Sequence, residues 1–252
     1  MIASADWGQN GSVCVITGAT GYLGRALAHG FGQAGATLFL TGRNQEALAE
    51  LAAGLDATEG AVHTLALELT DSAASEHLIS TALVKTGRID TLVLNAGTLA
   101  DGLVAGLTDY EMAQVYDLNL WATFRTLRAA LRPMILKRSG RIVIVSSTAA
   151  QRPGVGQGAY ASSKAALESL IRTTARETAS RGIRVNGVAP GLLAGGMATR
   201  ILDEAHERAV TAIPMGRPGE ASEVVPVVLF LASPMSSYVT GQVWSIDGGY
   251  TA

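Results

Sequence analysis

Residues 13–24 read Val-Cys-Val-Ile-Thr-Gly-Ala-Thr-Gly-Tyr-Leu-Gly. The first four residues are apolar and mostly β-branched, which predicts a strand covered on both faces. Apolar residues then recur at helical spacing at Leu23, Leu27 and Phe31. A strand, a glycine-rich turn and a helix form the arrangement in which backbone N–H groups approach a pyrophosphate. The alternative is a tight turn whose glycines serve packing alone. The flanking strand and helix favour a dinucleotide-binding loop formed by Gly18, Thr20, Gly21, Tyr22, Leu23 and Gly24.

The alternation of apolar runs and helical patterns continues to the end of the chain. Further strands are predicted at 37–40, 62–66, 90–94, 141–147, 183–188 and 243–246. Helices are predicted at 45–54, 72–85, 109–136, 158–180, 197–210 and 221–231. Strands that alternate with helices indicate an α/β fold with a doubly wound parallel sheet. Because no linker or repeat interrupts the pattern, we predict a single domain over residues 1–252.

Composition limits the class of protein. A formal charge of −2 gives no electrostatic signal for binding nucleic acid or an anionic membrane. Cys14 is the only cysteine, so an intrachain disulfide and a cysteine-based metal cluster are excluded. The four histidines lack ligand spacing, and we therefore expect no metal site. No signal peptide or apolar run of membrane-spanning length is evident, which favours a soluble, cytoplasmic protein.

The end of the second predicted strand bears on the choice of cofactor. In folds of this kind an acidic residue there binds the 2′-hydroxyl of NAD, whereas an Arg accommodates the 2′-phosphate of NADP. Here Gly42 leaves space and Arg43 offers several donors to a phosphate. An Arg that is merely solvated in a surface loop is the alternative. We expect NADP(H) rather than NAD(H).

Tyr160 and Lys164 are four residues apart in a predicted helix and so share one helix face. An ammonium close to a phenol stabilises the phenolate and lowers the pKa of the phenol. The pair could therefore give or take a proton near neutral pH. A surface Lys that lies beside a half-buried Tyr is the simpler interpretation of this spacing alone.

Several ordered motifs together resemble the short-chain dehydrogenase/reductase family over nearly the whole chain. They are the 17–24 loop, Asn95-Ala96-Gly97, Asn119, Ser147, Tyr160-x-x-x-Lys164, Pro190-Gly191 and the closing Ile246-Asp247-Gly248-Gly249. The resemblance implies the shorter, single-domain branch of the family, a Rossmann-like sheet of seven strands in the order 3-2-1-4-5-6-7, and a homotetramer. It also implies that the cofactor contacts Glu68, Leu69, Asn95, Ala96, Gly97, Tyr160, Lys164, Pro190 and Gly191 in addition to the loop and Arg43.

The resemblance assigns four catalytic residues. Tyr160 would protonate the developing alkoxide, and Ser147, thirteen residues before it, would donate a hydrogen bond to the carbonyl oxygen. Lys164 would lower the pKa of Tyr160 and bind the nicotinamide ribose. Asn119 would kink its helix and anchor a water that relays protons to Lys164.

Several positions depart from the family pattern. Gly18, Gly21 and Gly24 are evenly spaced, as in the family's longer branch. Gly195 stands where relatives usually have a Thr that binds the nicotinamide carboxamide, and Glu68 stands where an Asp or Asn usually contacts adenine.

The segment 192–213 is expected to form an apolar substrate lid. The residues before Tyr160 resemble those of 3-oxoacyl-thioester reductases, which also place a Gln three positions earlier. We therefore expect the substrate to contact Ser147, Gln157, Tyr160, Leu192 and Met197. Arg138 and Arg181 match positions at which those reductases dock acyl carrier protein, and we expect them near the cleft; ordinary surface arginines are the alternative.

Three functions remain open from the sequence. The leading hypothesis is an NADPH-dependent reductase of a 3-oxoacyl thioester in fatty-acid or polyketide-type synthesis. The second is an NAD(P)-dependent dehydrogenase of a small alcohol, a polyol or another ketone. The third is a cofactor-binding protein without catalysis, which the presence of all four catalytic residues disfavours.

Overall fold

The computed structural model describes residues 6–55, 60–198 and 209–252. Seven parallel strands form one sheet in the order β3-β2-β1-β4-β5-β6-β7. This confirms the fold and the strand order implied by the sequence. The strands are β1 (Val13–Thr17), β2 (Thr37–Gly42), β3 (Val62–Ala66), β4 (Thr91–Leu94), β5 (Gly140–Val145), β6 (Ile183–Pro190) and β7 (Val243–Ile246).

Helices cover both faces of the sheet. They are α1 (Tyr22–Gln33), α2 (Gln45–Ala53), α3 (Ala74–Thr86), α4 (Asp109–Tyr116), α5 (Thr123–Lys137), α6 (Gly158–Thr178) and α7 (Ala221–Ala232). One face packs on an apolar cluster that includes Phe31 of α1 and Val228 of α7. The other packs on a cluster that includes Leu127 of α5 and Ile171 of α6. Each such side chain contributes about 2 kcal/mol through its burial, so the two clusters hold the helices against the sheet.

The helix predicted at 109–136 is interrupted, which corrects the sequence-based boundary. Helix α4 ends at Tyr116, a π-helical turn follows at Asp117–Ala122, and α5 begins at Thr123. A π-helical turn accommodates an extra residue within a helix and often marks a functional position. Here it lies at Asn119, where the resemblance implies a kink.

Two other boundaries affect the site. Strand β5 ends at Val145, so Ser146 and Ser147 lie just beyond the sheet, at the start of a 3₁₀ turn (Thr148–Ala150). The segment expected to form the lid is described only in part. Its helix, expected at 197–210, falls mostly outside the described residues, and a 3₁₀ turn at Gly196–Ala198 is what the structure shows before that point.

Cys14 lies in the middle of β1 and is fully buried. Strand β1 is hydrogen-bonded on both sides, to β2 and to β4. Burial, and secondarily the charge of Asp90, raise the pKa of the Cys14 thiol well above its usual value. The thiol is therefore protonated and chemically quiet in the folded protein.

Over residues 6–55, 60–198 and 209–252, His, Cys, Asp and Glu side chains do not group into a metal-binding cluster. None of the helices in those ranges combines the length and apolar character needed to cross a membrane.

Candidate active site

A cleft of about 940 Å³ runs along the edge of the sheet where the parallel strands end. Ligands of open α/β folds bind at this edge, because the loops that follow the strands meet there. All the predicted cofactor and substrate residues line the cleft, and of the predicted catalytic residues only Asn119 lies behind its wall. The lining includes Gly18, Thr20, Gly21, Tyr22, Leu23, Gly24, Arg43, Glu68, Leu69, Asn95, Ala96, Gly97, Ser147, Gln157, Tyr160, Lys164, Pro190, Gly191, Leu192 and Met197.

The loop between β1 and α1 forms a close backbone cradle. Gly18 has φ +63°, and a Cβ there would lie 2.8 Å from the Cα of Ala96. A Cβ at Gly24 would collide with the carbonyl oxygen of Gly18. The first turn of α1 contains no acidic residue, and none of the described side chains caps it. Its N–H groups and the helix dipole are thus available to an anion, which fits the pyrophosphate of a dinucleotide.

Asn95, just after β4, holds this loop in place. Its side-chain nitrogen donates to the carbonyl oxygens of Thr17 (3.2 Å) and Gly18 (3.0 Å). The hydroxyl oxygen of Thr17 in turn accepts from the backbone N–H groups of Asn95 (3.0 Å) and Ala96 (3.2 Å). Four hydrogen bonds therefore tie the end of β1 to the end of β4 across the floor of the cleft.

At the other end of the cradle, a Cβ on Gly42 would lie 3.0 Å from the hydroxyl oxygen of Thr20, so this position is closely packed. The side chain of Arg43 is 77% exposed and lies 3.9 Å from a carboxylate oxygen of Glu68. An exposed ion pair of this length is weak. Arg43 can therefore turn towards an incoming phosphate.

Lys164 is buried in α6 beneath the cleft. Its ammonium donates to the carbonyl oxygen of Val145 at 2.9 Å and lies 5.6 Å from the centroid of the Tyr160 ring. Burial lowers the pKa of Lys164 to about 8. The ammonium is thus still mostly charged at neutral pH.

Tyr160 faces the cleft from the first turn of the same helix. Burial raises the pKa of its phenol, and a hydrogen bond with the Ser147 side chain opposes that rise. Desolvation outweighs this hydrogen bond, so the pKa of Tyr160 is raised overall, and a lowering effect of Lys164 stays a prediction from the resemblance. Ser147 also accepts from the backbone N–H of Ala149 at 3.2 Å, which orients its hydroxyl.

Asn119 is fully buried in the π-helical turn and connects two parts of the site. Its amide nitrogen donates to the carbonyl oxygen of Thr98 (2.9 Å) and to the hydroxyl of Ser163 (3.0 Å). Ser163 donates to the carbonyl oxygen of Tyr160 at 2.7 Å. A chain of hydrogen bonds therefore leads from the loop after β4 to the backbone that carries the Tyr160 side chain.

The substrate side of the cleft is partly fixed. The side-chain oxygen of Gln157 accepts from the backbone N–H of Gly154 at 2.8 Å. The backbone of residues 192–194 pairs with Gly219 through two hydrogen bonds of 2.9 and 2.8 Å, so the predicted lid is anchored at its start. Met197 is 50% exposed at the rim.

Sequence reasoning did not find Arg152 and Tyr250, which also line the cleft. The Arg152 guanidinium stacks on the Tyr250 ring, 4.5 Å from its centroid, and donates to the Tyr250 carbonyl oxygen. The two residues are 98 positions apart, and no motif connects them.

Arg138 and Arg181 lie at the opposite edge of the sheet. Each is exposed and precedes a strand, β5 or β6, by two residues. The side chain of Arg138 donates to the carbonyl oxygen of Ser180 at 3.1 Å, which places the two arginines side by side. The two arginines therefore lie about 20 Å from the cleft of their own chain, at the other end of these strands. Docking of a carrier protein at them stays a prediction.

Comparisons with known proteins agree with this geometry. A family model described as "Enoyl-(Acyl carrier protein) reductase" matches residues 18–251. The 3-oxoacyl-[acyl-carrier-protein] reductase of Thermotoga maritima is 40% identical over 95% of this chain and 97% of its own. The enzyme of the same name from Escherichia coli is 34% identical over the same shares.

Two solved structures are similar throughout. The 3-oxoacyl (acyl-carrier-protein) reductase from Agrobacterium tumefaciens, with NADP bound, has a TM-score of 0.92 at 31% identity and covers 99% of this chain and 98% of its own. An NAD⁺-bound xylitol dehydrogenase has a TM-score of 0.93 at 30% identity and covers 96% of this chain and 99% of its own.

Proposed function

The chain belongs to the short-chain dehydrogenase/reductase family and is an NAD(P)-dependent oxidoreductase, and from this premise we propose that it uses NADPH to reduce the ketone of a 3-oxoacyl thioester, in fatty-acid or polyketide-type synthesis. The observation that carries the proposal is the grouping of Ser147, Tyr160 and buried Lys164 at one end of a cleft. Full-length similarity to 3-oxoacyl reductases supports the substrate class.

The proposed chemistry follows from the two hydroxyl groups that face the cleft. Ser147 donates a hydrogen bond to the carbonyl oxygen, and Tyr160 gives that oxygen a proton as negative charge develops on it. The raised pKa of Tyr160 keeps the phenol protonated at neutral pH, which is the form that reduction needs. The cradle would hold the pyrophosphate of the dinucleotide, whose reduced nicotinamide would supply the hydride.

Lys164 supports the reaction through its charge. Below about pH 8 its ammonium places a positive charge beneath the Tyr160 ring, which stabilises negative charge on the phenol after proton transfer. Asn119 holds the backbone around Tyr160 through Ser163. A water-mediated proton relay at Asn119 remains a prediction from the family resemblance.

Preference for NADPH is supported by Arg43, which is exposed at the end of β2. Its guanidinium can form paired hydrogen bonds with a 2′-phosphate. Glu68 lies opposite it and would share the adenosine end of the cofactor with Leu69.

Docking of a carrier protein at Arg138 and Arg181 requires a second subunit, since both lie far from the cleft of their own chain. We expect antiparallel packing of α5 and α6 between subunits of a homotetramer to bring the arginines of one subunit to the cleft of another. Exposed Trp121 (48%) and Leu136 (87%) support an apolar interface along this part of the chain. A cytoplasmic location stays a prediction.

A dehydrogenase of polyols is the second candidate, favoured by the similarity to xylitol dehydrogenase. A screen of NADPH oxidation with acetoacetyl thioesters, polyol-derived ketoses and aromatic ketones, paired with polyol oxidation by NAD⁺ and NADP⁺, separates the two. We expect the thioester to give the highest kcat/KM and Tyr160→Phe to abolish turnover. A higher kcat/KM with a polyol would overturn the thioester proposal, and near-full activity of Tyr160→Phe would overturn the proposed acid.

The carrier proposal has its own test. In Arg138→Glu/Arg181→Glu, activity should fall with acetoacetyl-carrier protein and be retained with acetoacetyl-CoA. Lys85→Glu, a charge reversal at an exposed position on α3, is the matched control. Equal loss with both thioesters would contradict docking at these arginines.

A further inference from the structure

Tyr22, the first residue of α1, lies against the backbone of Gly195 and Gly196. A Cβ built on Gly195 would lie 2.9 Å from Cε2 of Tyr22 and 3.0 Å from its Cδ2. A Cβ on Gly196 would lie 2.9 Å from the Cβ of Tyr22. All three residues line the cleft. The Tyr22 ring therefore fills the space that side chains at 195 and 196 would otherwise occupy.

The two glycines differ in the reason why a side chain is excluded. Gly196 has φ +68°, so a substitution there is strained by the backbone as well as by contact. The φ of Gly195 lies outside the left-handed region. At Gly195 the three atoms nearest to an added Cβ all belong to the Tyr22 ring, and that makes the contact testable by mutation.

A hydrogen bond fastens the outer end of the Tyr22 side chain. Its hydroxyl donates to Oε2 of Glu220 at 2.7 Å. Glu220 precedes α7 and directly follows Gly219, the residue that pairs with the backbone of 192–194. Tyr22 thus contacts the start of the lid segment directly. Through Glu220 it is also connected to Gly219, whose backbone pairs with the same segment.

These contacts connect two walls of the cofactor cleft. Tyr22 belongs to the loop that cradles the pyrophosphate, and residues 191–196 follow β6 on the side of the cleft that contains Tyr160 and Lys164. We propose that Tyr22 is a positioning residue, matched to Gly195, that sets where the segment 192–196 lies against the nicotinamide half of the cofactor. The inference rests on cofactor binding and not on the identity of the carbonyl substrate.

The first experiment is a double-mutant cycle between positions 22 and 195. Gly195→Val, Tyr22→Ala and the double variant are compared for the melting temperature of the unliganded protein and for the Kd of NADPH, measured by nicotinamide fluorescence without a carbonyl substrate. Val is used because it adds no hydroxyl that could bind the carboxamide. Gly106→Val is the matched control, because an added Cβ at Gly106 would meet none of the described atoms within 4 Å.

We expect Gly195→Val to lower the melting temperature and to weaken NADPH binding about tenfold, because the new side chain must displace the Tyr22 ring. In the Tyr22→Ala background the same substitution should change the Kd by less than about twofold. If the substitution at 195 changes the Kd equally in both backgrounds, or in neither, the proposed pairing of Tyr22 with Gly195 is overturned. Should Tyr22→Ala fail to fold, Tyr22→Ser provides the same cavity.

The second experiment separates positioning from simple stability. Tyr22→Phe keeps the ring and loses the bond to Glu220, so NADPH at saturation should retain its blue-shifted emission. Tyr22→Ala should lose that shift, because the nicotinamide is less enclosed. Identical emission in Tyr22→Ala and the unmodified protein would contradict the positioning role. Failure of the unmodified protein to bind either NADPH or NADH would instead refute the proposed function, and the melting temperatures would still test the pair.

Discussion

Asn119 holds both polar groups of the Thr98 backbone. Its side-chain oxygen accepts from the Thr98 N–H at 2.8 Å, and its side-chain nitrogen donates to the Thr98 carbonyl oxygen at 2.9 Å. This two-point contact joins the π-helical turn to the loop after β4. A Cβ built on Gly97, the residue before Thr98, would lie 3.3 Å from Asn119 and 3.4 Å from the Lys164 ammonium. These two hydrogen bonds therefore fix the backbone directly beside the proposed catalytic lysine.

Replacing Asn119 should affect stability and turnover together. Asn119→Leu would leave the Thr98 N–H and carbonyl without their partner, at a cost of about 1–3 kcal/mol for each buried group. Urea denaturation should show that loss, and kcat should fall as Tyr160 loses its support. Thr178→Val is the control, since it removes a buried hydrogen bond to the carbonyl oxygen of Thr174 near the last residue of α6. A normal kcat in Asn119→Leu would contradict the proposal that Asn119 supports the backbone around Tyr160.

Ser147 should be distinguishable from its neighbour Ser146. Ser147→Ala removes a donor to the carbonyl oxygen and should lower kcat about 100-fold with unchanged affinity for NADPH. The Ser146 hydroxyl points inward, to the carbonyl oxygen of Lys164 and to Glu168. Ser146→Ala should therefore lose less than about tenfold. Steady-state kinetics and cofactor titrations measure both effects. A larger loss of kcat in Ser146→Ala than in Ser147→Ala would assign the donor role to Ser146.

The buried Lys164 should make stability depend on alkaline pH. Its folded pKa is about 8, below the usual 10.5, so the unfolded chain binds the extra proton between these values. Burial of the charged Lys164 therefore lowers the free energy of unfolding below pH 8. This destabilisation is relieved as pH rises from 8 to 10.5. The shift corresponds to about 3 kcal/mol.

Lys164→Met should accordingly be more stable than the unmodified protein at pH 7, by less than this amount because the bond to Val145 is lost. The difference should shrink between pH 8 and 10.5 in urea titrations. The same substitution at exposed Lys85 is the control. If the stability difference between Lys164→Met and the unmodified protein stays constant from pH 8 to 10.5, burial of the Lys164 charge does not destabilise the fold.

Arg43 should determine the preference between the two nicotinamide cofactors. Arg43→Ala removes the guanidinium proposed for the 2′-phosphate and should weaken NADPH binding about tenfold or more, with NADH changed by less than about twofold. Glu68→Gln should strengthen NADPH binding, because it frees Arg43 from a carboxylate 3.9 Å away. Arg176→Ala controls for the change in net charge. Equal weakening of both cofactors in Arg43→Ala would remove the basis for the NADP assignment.

Much of the fold and the cleft was predictable because both follow from local patterns. Strand and helix runs alternate, and the residues that end parallel strands must meet at one edge. Local patterns did not predict the π-helical turn, and only the resemblance implied a kink at Asn119. The backbone there depends on contacts of Asn119 with Thr98 and Ser163, which are distant in sequence. The raised pKa of Tyr160 likewise depends on burial in the folded protein.

The place of Arg138 follows from the direction of the chain, which a resemblance between motifs does not give. Because it precedes β5, whereas the site follows that strand, its place at the far edge was already implied by the order of the elements.

The single thiol in the central strand offers a way to follow unfolding. Cys14 is hydrogen-bonded into the sheet on both sides and fully enclosed, so a labelling reagent reaches it only when β1 separates from its neighbours. Opening of the cleft or of the segment after β6 leaves that strand intact. The rate at which Cys14 reacts therefore reports global unfolding and ignores local motion at the active site. Every variant described above can be ranked by it without adding a probe.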